Sequence, residues 1–144
     1  MTDLGTLPGD FISFGDGVND RGQIVADSCV GGDFADCRPF LWQNGVKVDL
    51  NTLIPRNSPL HLIDATGTIN SRGQIAGIAI QVSSGEIHAF LATPCDDEND
   101  ELSGFVGVAR LATTEPKIRP ELHLSDNVRA YLRQGVVHRR GWRQ

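Results

Sequence analysis

The 144-residue sequence predicts a mostly β fold: two propeller-blade-like antiparallel four-stranded units packed together, plus a short C-terminal helix. Three observations lead there. Glycine is abundant, with 16 residues or about 11% against a usual ~7%, while aromatics reach only 6%. The apolar runs are short, rich in β-branched residues and bounded by turn residues. The sequence also recurs with a period of ~45–50 residues, the range of propeller blades and similar arrays.

Length and charge set the outer bounds. The chain is the size of one ordinary domain, and 40% apolar residues suffice for one modest core. The net charge of −5 argues against bulk attraction to nucleic acid or anionic lipid. No stretch approaches the ~20 apolar residues of a membrane-spanning helix. No basic and apolar leader precedes Asp3, so this form is expected to carry no secretory signal.

The repeat can be followed along the chain. Asp3-Leu4-Gly5-Thr6-Leu7 returns as Asp49-Leu50-Asn51-Thr52-Leu53. Val18-Asn19-Asp20-Arg21-Gly22-Gln23-Ile24 returns as Ile69-Asn70-Ser71-Arg72-Gly73-Gln74-Ile75. Val18 and Ile69 end an approach strand, Asn19 and Asn70 bond the turn they open, and Gly22 and Gly73 supply a positive φ. The segments after Gln23 and Gln74 leave as β strands. A second hairpin turns through Val30–Asp36 in the first unit and through Ser83-Ser84-Gly85 in the second. Asn44-Gly45 then suits a type I′ turn between Phe40-Leu41-Trp42 and Val46-Lys47-Val48. Residues 1–112 are therefore expected to form the two-unit β domain, with units at about 3–48 and 49–112. Repeat units bury their faces on neighbours, and three or more are normally needed. A fragment of a longer array, two packed sheets, and a homodimer through exposed sheet edges are the ways to meet that need.

These residues, together with His88-Ala89-Phe90-Leu91, resemble the bacterial HAF repeat, named for its His-Ala-Phe triplet. The resemblance covers about residues 3–94, with Arg38-Pro39-Phe40 replacing the triplet in the first unit. It implies an extracellular or envelope-associated, propeller-like β-repeat protein, and no settled activity.

Beyond Pro94 the composition changes. An acidic loop, Cys95 to Glu101, precedes Gly104–Leu111, which is expected to close the second unit as a strand. Residues 113–144 read as a linker with two prolines, a short helix over Asn127–Gln134 and a basic tail. Ser125 is the expected N-cap, Asp126 a first-turn charge and Gly135 the stop. The last 24 residues carry two acids and five bases, and the first 94 carry ten acids and five bases. A solvated tail pairing loosely with the acidic body accounts for this.

Chemistry-bearing residues are few. Cys29 and Cys37 sit where the strands of one hairpin leave and re-enter, so a disulfide closing the loop between them fits. Two unpaired thiols in a reducing compartment are the alternative. Cys95 is left over. Asp96, Asp97 and Asp100, with Glu98 and Glu101, supply hard oxygens of the kind Ca²⁺ prefers, against the plainer reading of an acidic loop. No Gly-x-Ser-x-Gly elbow, phosphate loop, dinucleotide fingerprint or His-Glu-x-x-His pair occurs. Catalysis would have to be assembled from His61, Asp64 and His88, as a base or around a metal-bound water. In a regular strand, Asp64 points to the opposite face from His61. His88 belongs to the repeat triplet and reads first as structural.

Every matched residue is explained by turn and packing needs. The leading expectation is therefore a non-catalytic binding module that presents loops to a glycan, protein or small-molecule partner. The alternative is a small hydrolase, Ca²⁺-supported, acting on a lactone, ester or glycosidic bond.

Overall fold

The computed structural model describes residues 1–31, 36–65, 69–94, 124–130 and 132. Two antiparallel sheets carry the fold. Strands β1 (Ile12–Val18), β2 (Ile24–Cys29), β3 (Cys37–Gln43) and β4 (Val46–Asp49) form the first, in chain order. Strands β5 (Leu60–Asp64), β6 (Ile75–Gln81) and β7 (Ile87–Ala92) form the second. Four strands were expected in each unit, but the second sheet has three among the described residues. The segment expected to close it, Gly104–Leu111, lies outside those residues, as do the linker and the basic tail. The two sheets are not joined into one closed sheet. A short helix, α1, spans 126–130 and 132, where Ser125 Oγ accepts the Val128 N–H at 3.4 Å.

The turns follow from backbone demands. Gly22 has φ +71° and Gly73 has φ +78°, values that L side chains adopt only with strain. Asn19 Oδ1 accepts from the N–H groups of Arg21 and Gln23, and Asn70 Oδ1 accepts likewise from Arg72 and Gln74. The backbone bonds Asn19 N–H to Gln23 and Asn70 N–H to Gln74 are equivalent too, at 3.0 and 3.1 Å. At the β3–β4 hairpin, Asn44 and Gly45 both have positive φ, 51° and 84°, as a type I′ turn requires.

The core runs between the sheets. Val25 and Leu41 of the first sheet pack with Leu62, Ile75 and Ala79 of the second, together with Leu50 from the 3-10 turn Leu50–Thr52. A second cluster joins Cys29, Cys37, Ile63 and Ile80 to Leu124 and Leu132, with Val128 against it, so α1 docks by one apolar face. Leu7 covers Ala26 and Phe40 on the outer face of the first sheet.

Polar links fix the 3-10 turn to β5 and tie the two units together. Asn51 Nδ2 donates to the Leu62 carbonyl at 2.9 Å, and its Oδ1 accepts the Leu62 N–H at 2.9 Å. Asp27 Oδ1 accepts the Ala65 N–H at 3.1 Å, and Asn19 Nδ2 donates to the Asn70 carbonyl at 3.0 Å.

Each sheet also contains one bulge. In the first the register shifts between Gly15 and Gly17, and in the second between Leu62 and Asp64. A bulge sets two residues against one and turns the following side chain. The second bulge requires Gly77. A Cβ there would collide with the Asp64 carbonyl oxygen and stand 2.7 Å from the Phe90 ring.

Candidate functional site

The second bulge rearranges the residues on which catalysis was expected to rest. His61 pairs with Ile80 and Asp64 with Ile78, and Ile78 and Ile80 share one face of β6. His61 and Asp64 therefore lie on the same face of the sheet. This corrects the expectation of opposite faces, which holds only for an unbroken two-residue alternation. Both are buried, at 5% and 4% exposure.

His88 goes elsewhere. It pairs with Ala79, in the row that runs from Leu62 across β6, and that row occupies the other face. Its side chain is half exposed, with Nε2 3.7 Å from Glu86 Oε2. The fold thus brings His61 and Asp64 to one face of the second sheet and leaves His88 on the other.

Asp27 is a buried acid that the sequence did not flag. It is fully enclosed on β2 between Val25 and Cys29, and its Oδ1 holds the backbone of the second unit through Ala65. The available signal is a mismatch within the repeat, because the second unit has Ile78 at that position. An acid in an apolar slot of a repeat must have a partner.

Arg38 was also missed. Its Nη1 donates to Asp49 Oδ2 at 3.0 Å, and its Nη2 donates to Asp10 Oδ2 at 2.8 Å and to the Pro8 carbonyl at 3.2 Å. The three side chains are almost completely covered. Burial pushes the Asp49 carboxyl above its usual value, opposed by the Asn51 backbone N–H, the charge of Arg38 and their hydrogen bonds. The guanidinium fastens the N-terminal segment to β3 and β4. The departure from the triplet at Arg38-Pro39-Phe40 marks it, whereas its partners stand too far along the chain to be read from local pattern.

Cys29 and Cys37 face each other in register and form a disulfide, with Cα atoms 4.0 Å apart. Closing so short a loop contributes about 2.5 kcal/mol in the chain-entropy account. Among the described residues, no group of three or more His, Cys, Asp or Glu side chains is arranged to hold a metal ion. Asp96, Asp97 and Asp100, expected as Ca²⁺ ligands, and Cys95 lie outside the described residues.

No family model, curated protein or solved structure matches this chain. Among the described residues, no helix is long and apolar enough to cross a membrane.

Proposed function

We propose that this chain is a non-catalytic β-repeat module of the exported, HAF-like kind, which presents its loops to a glycan or protein partner. The observation that carries the reading is the division of the reactive side chains. His61 and Asp64 are enclosed in the interior, and the remaining histidine of the expected set faces solvent across the sheet. The Cys29–Cys37 bridge supports an oxidising, extracytoplasmic setting. The two sheets are read as neighbouring blades of a propeller-like array. That reading is supported by Val25 and Leu41 of the first sheet meeting Ile75 and Ala79, which are on the non-equivalent face of the second.

One observation favours the hydrolase as a second reading: the bulge sets an acid and a histidine on one face. A screen of ester, lactone and glycoside substrates, with and without EDTA, separates the two. The binding module predicts no turnover above a His61→Ala control. Turnover that survives purification and disappears in both His61→Ala and Asp64→Asn, with melting transitions retained, establishes the hydrolase instead.

A further inference from the structure

The contact between the two units is unequal-sided. The first unit offers Val25 and Leu41 together with the side chain of Asn19, and the second receives them on Ile69, Ile75 and the Asn70 carbonyl. Such a contact leaves each unit with one unused half.

Residue by residue, the unused halves are visible. Leu41, in the seam, is 4% exposed, and its counterpart Leu91 is 67% exposed. Ile69, on the receiving side, is 8% exposed, and its counterpart Val18 is 66% exposed. These are two of the few large apolar side chains left in water among the described residues. The turns repeat the pattern. Gly73 is buried, with Pro94 Cγ of its own unit 3.1 Å and Gln23 Oε1 from across the seam 3.5 Å from where its Cβ would lie, while Gly22 is open and has nothing within 4 Å of that position. Gln23 is buried whereas its counterpart Gln74 is only partly so, and Asn19 is half-buried whereas Asn70 is exposed.

Asn19 Nδ2 bonds both Gln23 Oε1 at 2.6 Å and the carbonyl of the next turn. Asn70 Nδ2 makes the first of these bonds, to Gln74 Oε1 at 2.9 Å. The position of the second is at the outer end of the chain's own stack. Among the described residues, helix α1 covers the Ile80 end of this face, and Leu91 stands exposed at the other end.

We infer that the Leu91–Asn70 end of this chain docks head-to-tail on the Val18–Gly22 end of a second copy, reproducing the seam between its own two units. Leu91 takes the place of Leu41, Val18 that of Ile69, and the Asn70 side-chain amide donates to the partner's Asn19 carbonyl. The contact is heterologous, so it forms a ring if the rotation closes and an open filament if it does not. It is independent of whether the loops also bind a ligand.

Sedimentation or light scattering of the full chain across a concentration series tests this with two variants. Wild type is expected to rise from the 15.6 kDa monomer to twice that mass and beyond. Leu91→Lys and Val18→Lys, both at exposed positions, are each expected to remain monomeric alone, because each retains only one half. Their equimolar mixture is expected to reach twofold the monomer mass and stop. A wild type that stays monomeric at every concentration overturns the inference. So do single variants that associate like wild type, as a sheet-edge dimer would, and a mixture that stays monomeric.

Discussion

The two sheets share their turns but not the side chains that secure them. In the first, a disulfide, a fourth strand and the Arg38 clamp hold the hairpins together. In the second, the position of Arg38 is occupied by His88, which stands near Glu86 at the surface, and β6 needs a glycine where β2 has Ala26. The first sheet places its small residue on β1, where Gly15 pairs with Ala26, and the second places it on β6. The left-handed φ is therefore repeated at Gly22 and Gly73, while that of Gly5 is not repeated at its counterpart Asn51. Side-chain roles diverge wherever the neighbours differ.

The comparison can be broken most forcefully at the seam. Leu41→Ala empties a buried site and is expected to cost about 2–5 kcal/mol, while Leu91→Ala at the equivalent exposed site stays within about 0.5 kcal/mol. Urea unfolding of dilute protein measures both, and equal losses would contradict the asymmetry of the two units. Next in size is the bridge. Cys29→Ser with Cys37→Ser is expected to destabilise the protein by about 2–5 kcal/mol. Alkylation of the native protein followed by mass spectrometry should leave Cys29 and Cys37 unlabelled and add a label to each only after reduction. Gly77→Ala comes third, at about 1–3 kcal/mol from overpacking against Asp64 and Phe90. A melting temperature unchanged by that substitution would show that the close approach at the bulge is not required.

The smallest effect is one of pH. The folded carboxyl of Asp49 titrates above its ordinary value of 3.8, chiefly through burial. The folded state therefore holds this proton more tightly than the unfolded chain. The group's stabilising contribution is complete below 3.8 and is lost as the pH rises through the raised value. Relative to Asp49→Asn, wild type should gain stability on acidification across that window. Urea midpoints measured at a series of pH values report the difference, and a constant gap would sink the assignment.

What could be read from the sequence divides along the same line. Gly22, Gly73 and Asn44-Gly45 announce their turns because positive φ admits few residues. The short helix was legible from its Ser125 cap and the first-turn charge of Asp126, whereas the packing of Leu124, Val128 and Leu132 over the disulfide end of the core was not. The bulge at Ile63 was not legible, because Leu60-His61-Leu62-Ile63-Asp64 reads as an ordinary strand and the glycine that permits the bulge lies on another one. Arg38 depends on partners 28 and 11 residues away. Asp27 depends on a backbone group 38 residues away. Long-range polar pairing leaves no periodic trace in a chain.

Asn51 has a further effect beyond fixing the 3-10 turn to β5. Leu62 lies on β5, an edge of the second sheet, and the Asn51 amide takes both of its free backbone groups, as a neighbouring strand would. An uncovered edge is a template on which another chain can add in β fashion and begin to aggregate. One side chain thus blocks that template at the middle of β5.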